Sequence, residues 1–216
     1  MMLKELCATL LVLCNPILNG FDFDYAKDDK DQFVQGIAEC TVTYNADIDP
    51  FDRAVIVLSV GQAIIESSWG NSRFARKANN FYGIIQTDRT EPYIKSLRGA
   101  VLLKKYGNKC ESVADYIELL NTSLFFKKYR DLRMKQVIQG EVDVFALVNT
   151  LDSYAKDPLY KSKLKDVILS LLKNYPLLFR MDEVLAHNSP WHFYKIPYIW
   201  TCMNKHTIYR RKKWPT

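Results

Sequence analysis

An α+β fold is what this sequence predicts: a mainly helical domain carrying a small β-lobe. Three observations predict it. Residues 54–69 form the most apolar helical stretch of the chain, broken late by one carboxylate, Glu66. Between 81 and 108 the helical period is lost and turn residues accumulate, as expected of a small sheet. From 112 to 174 the helical period returns in four successive segments.

The chain's 216 residues suffice for one domain with appendages, and for a core that needs no covalent staples. With 48% hydrophobic and 25% charged residues, the composition is that of a globular protein rather than a disordered one. The 13 tyrosines and 11 phenylalanines fit a packed core first and a ring-stacking groove second. A net charge of +6 favours anionic partners (wall polymer, membrane surface, nucleic acid) without choosing among them. Part of that excess is a C-terminal cluster of Lys205, His206, Arg210, Arg211, Lys212 and Lys213 beside Trp214. A solvated tail explains it, and contact with an anionic wall or membrane is the functional alternative. The five cysteines show neither a C-x-x-C pair nor ligand spacing with His187, His192 or His206. No metal site, no cofactor and no disulfide framework are therefore expected.

In chain order, residues 1–20 read as a leader of signal-peptide type, apolar from Leu6 to Leu18 except at Thr9 and Asn15. The run is too short to span a membrane comfortably. Glu5, Pro16 and the lack of an A-x-A cleavage site leave a buried first helix as the other reading. Leu11-Val12-Leu13-Cys14 approaches a lipoprotein box, but Leu13 is large for its position. Residues 21–31 are acidic and aromatic and read as a linker, after which a folded domain is expected over 32–176.

Phe33, Ile37, Cys40 and Tyr44 have helical spacing, so the first domain helix is placed at 32–44. Asp49 is a good N-cap with Pro50 at the first helical position. The helix it would open runs to about Trp69, apolar nearly all round and so central. Gly70 is expected to end it. Ser72 is expected to cap a short turn through Arg76. Asn79-Asn80 marks a turn, 81–85 a short strand, and 87–92 a loop. Residues 100–106 fit strand or helix by pattern and are assigned to the β-lobe. The later helices are placed at 112–121, with Ser112 and Asp115 as a capping box, then at 125–139, 142–156 and 158–174. Pro176 closes the domain. Residues 177–216 form a basic, aromatic extension with little periodicity.

Glu66 is the residue that needs a reason. An isolated carboxylate is costly to bury, so it is either paired or kept neutral by a raised pKa. A structural ion pair with Arg73 or Lys77 is the bland explanation. A carboxyl protonated near neutral pH is what general-acid cleavage of a sugar bond requires. Ser59, Gln62, Glu66 and Trp69 recur at steps of three and four, so they share one helix face, more polar than its surroundings and suited to a cleft.

Gln62-Ala63-Ile64-Ile65-Glu66-Ser67-Ser68-Trp69-Gly70-Asn71-Ser72 resembles the A-Q-A-x-x-E-S-G-W-G-x-S signature of bacterial glucosaminidases of glycoside hydrolase family 73. Asn79-Asn80-Phe81-Tyr82-Gly83-Ile84 resembles that family's N-N-L-F-G-I segment. Ser112-Val113-Ala114-Asp115-Tyr116 and Tyr129-Arg130-Asp131-Leu132-Arg133 resemble its E-S-x-x-D-Y and Y-x-x-L-R stretches. Tyr154-Ala155-Lys156-Asp157-Pro158-Leu159-Tyr160 resembles its Y-A-T-D-P-x-Y. The segments occur in the family's order over about 32–174; the departures are Gly61 for Ala and Ser68 for Gly.

The resemblance implies a lysozyme-like fold with a cleft between the helical lobe and the β-lobe. It implies hydrolysis of the β-1,4 bond after N-acetylglucosamine in peptidoglycan by an endo-acting enzyme, outside the cytoplasm or encoded by a phage. Glu66 would be the catalytic acid, and Tyr154 would line the cleft. Trp69, Phe81, Gln62 and Asn80 are the further candidates for substrate contact. In the family a second carboxylate tends to lie in the β-lobe; Glu91 is the candidate, ahead of Asp88, which suits a turn, and of Glu111, which suits a helix start. The substrate's own acetamido group is the alternative. The expected partner is a peptidoglycan glycan strand met by a monomer, with no nucleic acid. A lytic transglycosylase and a non-catalytic wall-binding or virion protein are the competing readings.

Overall fold

The computed structural model describes residues 29–97, 99 and 101–176. The leader, residues 21–28 of the linker and the C-terminal extension lie outside the described residues. The architecture is mainly helical with one two-stranded antiparallel sheet. The first helix, α1, spans Asp29–Ala46. Asp29 and Asp31, assigned from sequence to the linker, form its first turn, where carboxylates complement the helix dipole.

Asp49 does act as a cap, accepting a hydrogen bond from the Phe51 amide at 2.8 Å. What it caps is a 3-10 turn, Pro50–Asp52, and not the central helix. Arg53, Ala54 and Val55 are extended, and the buried Asn45 side chain pins them through Ala54 N (2.9 Å) and Ala54 O (2.8 Å). The central helix α2 is Ile56–Ser67, shorter at both ends than its apolar pattern suggests. It packs against α1 and against the last helix, α7, Tyr160–Asn174. Gly61 is where α2 meets α7: a Cβ there would stand 3.2 Å from both Ile168 and Leu164. Side chains of α7 therefore occupy the space that an alanine would need.

Helix α3, Arg73–Ala78, is capped by Ser72, whose hydroxyl accepts from the Ala75 amide at 3.1 Å. The expected strand at 81–85 reduces to one bridge, Ile85 with Leu103. The sheet is instead β1, Tyr93–Lys95, paired with β2, Leu102–Lys104, so the ambiguous 100–106 stretch is strand. Helix α4, Lys109–Thr122, starts three residues before the expected Ser112. Asn108 and Glu111 form the capping pair, while Ser112 is buried and accepts from the Phe81 amide at 3.1 Å. Asp115 instead binds Lys104 Nζ at 2.9 Å and the Tyr106 hydroxyl at 2.5 Å, tying α4 to β2.

A 3-10 turn, Leu124–Phe126, leads into α5, Lys127–Gln139. The third late helix is only α6, Val144–Asn149, and residues 152–154 are turn where helix is expected to 156. That turn lets Tyr154 face inward instead of following the helix outward. A further departure is covalent: Cys40 in α1 and Cys110 in α4 form a disulfide with Cα atoms 4.9 Å apart. The wide cysteine spacing concealed it, since 70 positions separate the two residues. Cys7, Cys14 and Cys202 lie outside the described residues. Among the described residues no helix is long and apolar enough to cross a membrane.

Candidate active site

Glu66 stands in the last turn of α2, and an unusual turn follows it. Ser68, Trp69 and Gly70 have φ of 52°, 59° and 74°, three left-handed residues in succession. The helix thus stops at Ser68 and not at Gly70. Two of these residues carry a Cβ, and that conformation costs each roughly 1–2 kcal/mol. Hydrogen bonds hold the turn: Ser67 Oγ donates to Ala63 O (2.6 Å) and accepts from the Gly70 amide (2.8 Å), while the Ser72 amide donates to Ser67 O (2.8 Å). A Cβ on Gly70 would come within 2.9 Å of the Phe33 ring, so this position has no room for one.

The Glu66 side chain is half-buried, and burial raises its carboxyl pKa above the ordinary carboxylate range. The Tyr160 hydroxyl beside it opposes that shift without cancelling it. No ion pair involves Glu66 among the described residues, and Arg73 gives its guanidinium to the Lys95 carbonyl at 2.8 Å. The bland ion-pair explanation is thereby removed.

Gly83 faces the acid. A Cβ built on it would lie 3.5 Å from Glu66 Oε2, and its φ of 68° is itself unfavourable for other residues. Asn80 fixes this turn: its amide donates to Ile84 O and Lys104 O, both at 2.9 Å, and its oxygen accepts from the Ile84 amide at 3.0 Å. With 1% exposure and both its N–H donors used within the fold, Asn80 shapes the wall of the site. Gly83→Ala is expected to lower stability by about 1–2 kcal/mol through the left-handed backbone. Thermal unfolding of the variant checks this; an unchanged Tm would contradict the positive φ.

Gln62 is fully buried, correcting its assignment as a cleft residue. Its oxygen accepts from the Tyr116 hydroxyl at 2.6 Å, and its amide donates to the Tyr160 hydroxyl at 2.9 Å. Ser59, on the same face, is also internal, bonded to Thr41 (3.0 Å) and Tyr82 (2.8 Å). The polar stripe of α2 is polar because tyrosines from distant segments meet it. Tyr154 is brought to the site: its ring stacks on Tyr160 at 5.6 Å, its hydroxyl donates to Tyr82 O at 3.3 Å, and its phenol lies in the field of Glu66. Tyr82 in turn stacks on Tyr116 at 4.0 Å.

Trp69 and Phe81 gather elsewhere, on either side of Phe33 from α1, at 6.3 and 5.9 Å between ring centroids. Phe81 is buried and Trp69 half-buried, so packing accounts for both. Glu91 is exposed in the loop before β1 and makes no hydrogen bond or ion pair with a described residue. Asp88 is spent locally, accepting from the Thr90 amide and hydroxyl at 2.8 and 2.7 Å, which lowers its pKa. Glu111 is likewise used in capping. Sequence reasoning did not single out Tyr116, Tyr160 or Gly83. All three lie inside the motif segments quoted above, and the recurrence of tyrosine in them was the available signal.

The glucosaminidase family model, described as mannosyl-glycoprotein endo-beta-N-acetylglucosaminidase, matches residues 54–173, from the strand-like lead into α2 to the end of α7. The chain belongs to the glucosaminidase family. It is 33% identical over 126 residues to the exo-glucosaminidase LytG of Bacillus subtilis (strain 168), covering 51% of this chain and 42% of that protein. The chain therefore spans less than half the length of that relative. Among solved structures it is similar to the glycoside hydrolase domain of Salmonella typhimurium FlgJ, with a TM-score of 0.51, 20% identity, and coverage of 74% of this chain and 99% of that one. It is also similar to the catalytic domain of the Listeria monocytogenes autolysin Auto, with a TM-score of 0.50, 20% identity, and coverage of 70% and 86%. The expected lysozyme-like α+β fold is thus the fold observed.

Proposed function

We propose that this glucosaminidase hydrolyses peptidoglycan at the β-1,4 bond after N-acetylglucosamine, with Glu66 as the general acid. The observation that carries the reading is the Glu66 carboxyl itself. It is half-buried, unpaired by any cation among the described residues, raised in proton affinity, and faced by a glycine that leaves the approach open. In the proposed step Glu66 gives its proton to the glycosidic oxygen. The C1–O bond breaks, its electron pair stays on that oxygen, and positive charge develops at the anomeric carbon. A water then adds at C1, losing a proton to a carboxylate.

Digesting peptidoglycan with the purified protein and identifying the new ends by mass spectrometry tests this. Reducing N-acetylglucosamine ends support it; anhydro-muramic ends would assign the lytic transglycosylase reaction instead. Fragment length separates internal cleavage, which we favour, from the end-wise action named for LytG.

Glu91 is proposed as the second carboxylate because Asp88 and Glu111 are committed to local bonds while Glu91 has no bond to another described residue. Glu91→Gln is expected to lower turnover by about 10²-fold or more with little change in Tm. Unchanged turnover would remove Glu91 from the reaction and favour assistance by the substrate's acetamido group.

The substrate places the protein's work at the cell wall, outside the cytoplasm. The Cys40–Cys110 disulfide supports that placement, since such bonds persist in oxidising compartments. The proposed contact of the C-terminal basic cluster with an anionic surface involves residues outside those described.

A further inference from the structure

Three buried hydroxyl and amide groups lie in line behind Glu66. Tyr116 on α4 donates to Gln62 Oε1 at 2.6 Å and Gln62 Nε2 donates to the Tyr160 hydroxyl at 2.9 Å, while the Tyr160 hydroxyl acts electrostatically on the Glu66 carboxyl beside it. The direction of each bond follows from the one before it. A glutamine amide has one accepting end and one donating end. With its oxygen taken by Tyr116, only the donating end remains for Tyr160. Tyr160 already accepts that N–H, so its own proton is left available to Glu66.

We propose that Tyr116, which does not touch the acid, is a positioning residue for it: by fixing the Gln62 amide it aims the Tyr160 proton at Glu66. This deepens the general-acid reading and rests on it. Turning the amide end for end would orphan the buried Tyr116 O–H, which the interior penalises. In Tyr116→Phe that cost nearly disappears, because either orientation leaves one amide end unpaired. The freed Gln62 oxygen then competes with Glu66 for the Tyr160 proton. The benefit to catalysis is differential. The Tyr160 bond strengthens as Glu66 loses its proton to the leaving oxygen, so it favours the transition state over the ground state.

The neighbours leave this route uncontested. The titratable groups acting on Glu66 are Tyr160 from α7 and Tyr154 from the turn ahead of it. Tyr82, on the Gly83 turn, directs its hydroxyl to Ser59 at 2.8 Å, away from the acid. On the remaining side stands Gly83 without a side chain.

The test is to follow the Glu66 carboxyl by ¹³C NMR across pH in the wild type, Tyr160→Phe and Tyr116→Phe, with Glu66→Gln assigning the signal. Both phenylalanine variants are expected to move the Glu66 midpoint upward. The alkaline limb of turnover should follow, with kcat falling and KM little changed. A Tyr116→Phe midpoint equal to wild type, with Tyr160→Phe raised, would overturn the proposal, as would equal midpoints in all three. If Tyr116→Phe folds poorly, Gln62→Met supplies the second arm: it removes the amide altogether, so Tyr160 keeps Glu66 as its acceptor and the midpoint should not rise as it does in Tyr160→Phe. A rise as large would also overturn the proposal. The NMR midpoint does not depend on turnover, so failure here is distinct from failure of the general-acid reading, which shows as undiminished activity in Glu66→Gln.

Discussion

Glu66→Gln is expected to reduce peptidoglycan turnover by about 10²- to 10⁴-fold, the usual range for a positioned general acid. Glutamine keeps the shape and can still accept from Tyr160, so loss of the proton is the main change. The wild-type rate should fall on the alkaline side as Glu66 deprotonates, at a pH above the ordinary glutamate range because burial raises its pKa. The same burial sets a sign for stability. Between the unfolded and folded pKa values of Glu66 the native state binds more protons than the unfolded one, so stability falls as pH rises through that window. The glutamine variant escapes that loss and should unfold at a higher temperature than wild type at neutral pH, with the difference shrinking in acid. Undiminished turnover in the variant would assign the chemistry to another group.

Replacing both Cys40 and Cys110 with serine is the second large effect expected. The bridge closes a 70-residue separation between α1 and α4. In the chain-entropy account such a loop contributes about 4 kcal/mol. For a domain of this size that corresponds to a Tm lower by roughly 10 °C. Because the effect is largely on the unfolded chain, turnover well below the new Tm should change little. Peptide mapping without reductant should recover the two cysteines as one linked pair; recovery as free thiols, or an unchanged Tm in the double variant, would contradict it.

Much of the scaffold was legible. The helices α1 and α7 follow from apolar spacing, and Ser72 capping α3 follows from residue type. Where sequence and structure part, a local signal serves a different role from the one its spacing suggests. Asp49 and Pro50 do begin a helical turn, but Asn45 holds the following backbone extended. Ser112 and Asp115 match a capping box by spacing, yet one serves the Phe81 amide and the other serves Lys104 and Tyr106. Gly70 does adopt a left-handed conformation, but Ser68 adopts it first.

What the sequence by itself determined is the central apolar helix, the acid near its end and the order of the motif segments. Helical period, turn residues and motif spacing are properties of neighbours in the chain, so they can be read there. Only the tertiary structure decided which polar groups surround that acid. Gln62 meets Tyr116 across 54 positions and Tyr160 across 98, and Gly83 reaches Glu66 through a turn pinned to β2. Buried hydrogen bonds of that range are fixed by packing, because each group must find a partner wherever the fold brings one. For that reason Gln62 and Asn80, read as groups facing a substrate, became the internal supports of the site.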